Sequence, residues 1–284
     1  MDQNLGPSER NGKSKYCTVA IRAAAITCLI ALGLGLGLGL GLQSSDDSIQ
    51  NISQAQFSFQ STIQNTRSYS YLKYDQIVQR LKRLQTDYPN LAKVYTAQEK
   101  FSLPTAGNCV IDSVSQPCKI YILEIGNQQL RTSETPEIFL SGAVHGDERI
   151  GPTTVVEFAS ALLEMYSTSS WARSIVDTRN IVIVSAANSL GYDQNTRYEN
   201  SIDVNRDFAW NQDPSQCMRS VAARAVNELF RRHAFQLGIT FHAGDHLIGY
   251  VWGDLLHCTG AASGACGDDG AVSADDTGLA ALGG

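Results

Sequence analysis

One apolar run that stops on a histidine constrains this chain more than anything else in it: Glu137-Ile-Phe-Leu-Ser-Gly-Ala-Val-His145-Gly-Asp-Glu148-Arg-Ile-Gly-Pro152. Ile138 to Val144 reads as a buried strand, and it ends at a glycine-flanked turn carrying His145 and Glu148 just before a helical pattern begins. Open α/β sheets place their sites on such turns, at the carboxyl ends of strands. An imidazole and a carboxylate three residues apart there can reach one cation, and both belong to the ligand set of zinc. A third ligand must come from a distant part of the chain. His-x-x-Glu alone is a weak signal, because surface residues match it by chance.

The chain begins with a short polar, basic segment, residues 1–22, that includes Arg10, Lys13, Lys15 and Arg22. Residues 23–42 then run without a charge, and as a helix they would cover roughly 30 Å, the thickness of bilayer hydrocarbon. Basic residues precede the run and Asp46 and Asp47 follow it, so the positive-inside bias keeps the amino terminus cytosolic and exports the rest. The run reads as a signal anchor, which makes this a single-pass membrane protein with a lumenal or extracellular domain. A cleaved signal and a secreted product is the alternative reading. Residues 43–67 have the Ser, Gln and Asn content of a linker, with Asn51-Ile-Ser53 as a glycosylation acceptor.

A folded domain is expected over 68–258. Tyr74, Ile77, Val78, Leu81 and Leu84 share one helical face, and Tyr88-Pro89-Asn90 ends that helix. Ala92 to Thr96 and Lys119 to Ile125 read as paired strands, separated by a loop whose Cys109 and Cys118 form a disulfide in an exported chain. Thr153 to Tyr166 reads as an amphipathic helix with Val155, Phe158, Leu162 and Leu163 inward. Asn180 to Ala187 is a second buried strand running into the polar loop Asn188 to Arg206. A helix over about Ser215 to Ala234 precedes a third strand that ends on His242. Alternating strands and helices predict an α/β domain, a largely parallel mixed sheet flanked by helices. The net charge of −6 and the lack of a basic stripe argue against nucleic acid as a partner.

In a parallel sheet, three strand ends converge on one edge. They bring together His145 with Glu148, then Arg197, Asp203, Asn205 and Arg206, then His242 with His246. Two histidines and one glutamate, with a position left open for water, make a catalytic zinc set. Arg197 and Arg206 add fixed positive charge suited to an oxyanion or a carboxylate.

These residues, with Gly191-Tyr192, Ile202-Asp203-Val204-Asn205-Arg206-Asp207-Phe208, Ile239-Thr-Phe-His242 and Tyr250, resemble the zinc metallocarboxypeptidases in order and approximate spacing over residues 68–257. The resemblance implies one Zn2+ per chain on His145, Glu148 and His242. It implies that Arg197 polarises the scissile carbonyl, that Asn205 and Arg206 hold the terminal carboxylate of a peptide or protein, and that Asp203 orients a zinc histidine. The chain departs from the family in reading Asn188-Ser-Leu-Gly191 where Asn-Pro-Asp-Gly is usual, and in having no glutamate after Glu228 to serve as the family's general base. Residues 259–284, rich in Gly, Ala, Ser and Asp, have tail composition. The carboxyl-terminal part of the family domain is therefore expected to be missing.

Two activities follow as alternatives: a metallocarboxypeptidase, weak or inactive in this truncated form, or a non-catalytic protein that binds peptide carboxyl termini. His246 and His257 read as loop or core residues and His233 as a solvated helix end. Cys258 could close a small loop with Cys266, leaving Cys217 alone, while Cys17 and Cys28 lie in or before the membrane run and read as unpaired.

Overall fold

The computed structural model describes residues 70–208, 215–244 and 247–249. The basic segment, the apolar run 23–42, the linker 43–67, Asp245, His246, Tyr250, His257, Cys258, Cys266 and the 259–284 tail lie outside the described residues. Among those described, no helix is long and apolar enough to cross a membrane.

Helix α1, Tyr74–Asp87, buries the five side chains expected of it. At about 1.5–3 kcal/mol for each large apolar side chain, that stripe holds the helix to the sheet. The Gln76 side chain accepts from Lys73 N at its start, and Tyr88 N returns to the Leu84 carbonyl at its end. Strand β1, Ala92–Thr96, runs into the short α2, Ala97–Phe101. Next comes a hairpin, β2 Asn108–Ile111 and β3 Val114–Pro117, closed by the Cys109–Cys118 disulfide. Then follow β4 Tyr121–Ile125, β5 Glu137–Gly142, α3 Ile150–Glu164, α4 Ser170–Thr178, β6 Asn180–Val184, α5 Ser189–Gln194, a 3-10 turn Val204–Arg206, α6 Val221–Phe230 and β7 Phe235–Phe241.

Five strands form one mixed sheet in the order β1-β4-β6-β5-β7. β1 pairs antiparallel with β4 and β4 antiparallel with β6, while β5 lies parallel to both β6 and β7. The parallel half is the half that carries the site. Side-chain alternation sends Ile138, Leu140, Ile181 and Ile183 to one core with α1, α3 and α4, and Phe139, Val182 and Val184 to a second core with α6. A sheet covered on both faces accounts for the fully buried β6 and the nearly continuous apolar β5.

The structure revises three expectations. The cysteine loop is a paired hairpin whose central Asp112 and Ser113 both take positive φ (51° and 64°). Helix α6 starts at Val221, not near Ser215, because Ser220 caps it by accepting from Ala223 N. His233 is not a solvated helix end: its Nδ1 lies 2.8 Å from Glu137 Oε1 and its ring stacks on Phe235.

Candidate metal centre

β5 delivers the first two functional side chains. After Gly142 the backbone turns through Ala143, which is fully buried at a positive φ of 49°. The loop after β6 fixes this turn, since Ala187 N donates to the Gly142 carbonyl and Asn188 N to that of Ala143. Gly146 is forced by packing: a Cβ there would lie 2.2 Å from the carbonyl carbon of Gly191. The His145 turn therefore presses directly on α5.

His145 is buried, Glu148 partly buried and His242 exposed. One oxygen of Glu148 lies 2.7 Å from His145 Nδ1 and the other 2.7 Å from His242 Nδ1. The two rings stand 4.9 Å apart, and the three side chains offer ligand atoms within 4.8 Å of one another. The sequence thus named a trio that the sheet does assemble, from the carboxyl ends of two adjacent parallel strands.

Asp203 backs this trio. Its Oδ1 lies 3.3 Å from His145 Nε2, close but not aligned as a hydrogen bond, and that buried nitrogen has no other partner. The other oxygen, Oδ2, takes Arg197 Nε at 3.0 Å and Nη2 at 2.9 Å. Burial works against the Asp203 carboxylate, but the hydrogen bonds and charge of Arg197, with His145 and Asn205 N adding, outweigh it and hold the carboxyl below its ordinary pKa. The Arg197 carbonyl accepts from Gly146 N and from Asn188 Nδ2, so its backbone is fixed as well as its head. Asn205 and Arg206 are exposed on the 3-10 turn that begins after Asp203, with Arg206 Nη1 donating to the Asn205 carbonyl.

The donor set fits zinc. Two imidazoles and one carboxylate are its catalytic ligand set, and both Nδ1 atoms and both carboxylate oxygens already face the centre of the trio. The free Nε2 of His145 points at an acid, the arrangement that fixes a ligating tautomer.

Two buried acids to which sequence reasoning gave no role support the segment between Arg197 and Arg206. Glu199 accepts from Val221 N and Ala222 N at the start of α6, and burial raises its pKa more than those bonds lower it. Asp207 accepts from Ser220 N, Ser220 Oγ and Arg219 N. The signal available in sequence was only two acids bracketing the Asp203 motif.

Comparison with known proteins agrees with the geometry. The peptidase M14 model, described as zinc carboxypeptidase, matches residues 113–277, more than half of the chain. Carboxypeptidase SOL1 of Arabidopsis thaliana is 25% identical over 139 residues, 47% of this chain and 28% of that protein. Carboxypeptidase D of Rattus norvegicus is 22% identical over 185 residues, 61% of this chain and 12% of that protein. The chain thus spans less than a third of the length of these relatives. Among solved structures, the carboxypeptidase A of Helicoverpa armigera superposes with a TM-score of 0.50 at 17% identity, covering 81% of this chain and 59% of that one. Thrombin-activatable fibrinolysis inhibitor gives the same score of 0.50 at 15% identity, covering 62% and 48%. These two show the fold. By the family match, this chain belongs to the zinc carboxypeptidases.

Proposed function

We propose that the trio holds one zinc ion and that the site cleaves carboxyl-terminal residues from peptides or proteins. The observation that supports this most directly is the single carboxylate of Glu148 shared by two histidines from different strands, with an acid behind one of them. Bound there, zinc would supply Lewis acidity, polarising a carbonyl and activating water near neutral pH. The rest of the work falls to the chain. Arg197, held by Asp203 and by its own backbone, presents a fixed guanidinium to the oxygen of a scissile carbonyl, where charge develops during attack. Asn205 and Arg206, exposed on the next turn, take the terminal carboxylate, and Arg can do so through two parallel hydrogen bonds. Asp203, 3.3 Å from Nε2 of His145, is the acid that would orient that ring.

A second reading, a binder of peptide carboxyl termini without turnover, draws on one observation. No glutamate follows Glu228 in these residues, and Glu228 itself is taken by Arg231 and Arg232 at 2.7 and 2.6 Å. A positioned base contributes about a hundred- to ten-thousand-fold, so the rate of turnover separates the two readings. The domain is proposed to act outside the cytosol, anchored through residues 23–42 or released from them. The Cys109–Cys118 bond supports an oxidising compartment.

The test is metal content and binding together. The expressed ectodomain should hold about one zinc per chain, and His145→Ala should abolish it, because two remaining ligands hold zinc poorly. Binding of hippuryl-phenylalanine should be lost in Arg206→Ala and absent for its amide. Equal zinc in both proteins by atomic absorption would sink the metal assignment. Robust, chelator-sensitive hydrolysis would decide for the enzyme over the binder.

A further inference from the structure

The disulfide-closed hairpin β2–β3 has no part in the metal centre, yet it braces both sides of the loop that carries Arg197 and Asp203. On one side Val110 N donates to Asp193 Oδ2 at 3.0 Å and the Cys109 sulfur lies 3.6 Å from the Ser189 carbonyl oxygen, so β2 packs on α5. On the other side Asn200 Nδ2 donates to the Ala106 carbonyl at 2.7 Å, tying the tip of the 199–202 turn to the segment that enters β2. α5 has six residues, too few to persist in water without tertiary support, and the Arg197 loop leaves from its end. An isolated two-stranded ribbon is also marginal, which is what the Cys109–Cys118 closure remedies. The metal ligands come from β5 and β7, and the hairpin pairs with neither.

We infer that the hairpin is the positioning element of the Arg197 loop. Docked and oxidised, it fixes Arg197 and Asp203 against His145; undocked, it frees the loop while leaving the three ligands in place. The consequence for turnover rests on the role proposed for Arg197, but the consequence for the loop does not.

Hydrogen exchange followed by mass spectrometry on the full zinc-loaded chain tests this, comparing the oxidised protein with the reduced protein and with Asp193→Ala and Asn200→Gly. Glycine is chosen at 200 because Asn200 has a positive φ of 47° that alanine would strain. Exchange of amides in 195–203 should rise about tenfold in all three loosened forms, with β5 and β6 unchanged and zinc retained. Asp193→Asn, which keeps an acceptor for Val110 N, should stay protected. On hippuryl-phenylalanine the loosened forms should lose about ten- to a hundredfold in kcat with a smaller change in KM. Unchanged exchange in 195–203 would overturn the inference. So would loss of zinc or exchange spreading through β5 and β6, since the hairpin would then hold the domain and not the loop. A wild type without zinc would instead refute the metal assignment, and exchange would still decide the positioning role.

Discussion

Replacing Gly146 by alanine puts a methyl group where three backbone atoms already sit. The added Cβ would fall 2.2 Å from the Gly191 carbonyl carbon, 2.3 Å from the Thr196 carbonyl oxygen and 2.5 Å from Tyr192 N. No change of rotamer relieves contacts with backbone, so the His145 turn must retreat from α5 and give up the 3.2 Å bond from Gly146 N to the Arg197 carbonyl. Overpacking of this kind costs about 1–3 kcal/mol and the hydrogen bond about 1 more. For a domain of this size each kcal/mol lowers Tm by about 2–4 °C, so Gly146→Ala should melt roughly 5–15 °C below wild type. Retreat of the turn also moves His145 away from His242, and zinc content should fall with stability. Gly238, exposed on β7, is the control: a Cβ there meets nothing within 4 Å, and Gly238→Ala should be neutral or slightly stabilising. Differential scanning calorimetry with and without added zinc reads both variants. A Gly146→Ala protein melting within about 2 °C of wild type would show that the two loops are not in contact as described.

Two carboxyls should give opposite pH signatures in melting curves. Burial opposes the Glu137 carboxylate, but bonds from His233, Asn180 and Ala234 N prevail and lower its pKa; its stabilisation is therefore present at neutral pH and lost as pH falls through the acid range, so Glu137→Gln should cost most near pH 7 and least near pH 4. Burial raises the pKa of Glu199, so its contribution is complete below the ordinary carboxylate range and lost as pH rises; wild type should gain on Glu199→Gln as pH is lowered, and a parallel pH dependence of the two differences would contradict the reasoning. Residues 23–42 should hold the full chain in the membrane fraction through a carbonate wash, with Asn51 glycosylated; a soluble product beginning near Gln43 would mean a cleaved signal.

What the sequence showed, and what it hid, follows from the kind of signal each element carries. α1 was legible residue by residue because its five buried side chains keep a strict helical spacing over 14 residues. β5 and β6 were legible because strands buried on both faces are apolar throughout. The hairpin was hidden: Val110 and Val114 are exposed, its turn is Asp112-Ser113 and not Asn-Gly, and Pro117 ends it, so nothing alternates as a half-buried strand should. α4 and α5 escaped because 9 and 6 residues are too few to establish a period. The start of α6 is set by Ser220 and by two acids, Glu199 and Asp207, that lie 21 and 13 residues earlier in the chain, and no local pattern reports such a partner.

The same logic explains why His-x-x-Glu was weak in sequence and becomes strong in three dimensions. Among the described residues, histidines meet a glutamate at both ends of β5. At its amino end Glu137 accepts from His233 Nδ1, Asn180 Nδ2 and Ala234 N, with Arg131 at 3.6 Å. That carboxylate is saturated by donors that a cation would have to displace, and only one of its neighbours could itself be a ligand. At the carboxyl end Glu148 meets two imidazoles and, among the described residues, no lysine or arginine, while the acid behind His145 is paired with Arg197. A divalent ion entering the first cluster would face a guanidinium and lose hydrogen bonds; entering the second, it would replace two imidazole–carboxylate contacts by three coordinate bonds and leave Asp203 and Arg197 undisturbed. What makes the Glu148 cluster the candidate metal site is therefore less the histidine and glutamate than what else touches the carboxylate, and that depends on which strand end the pair occupies.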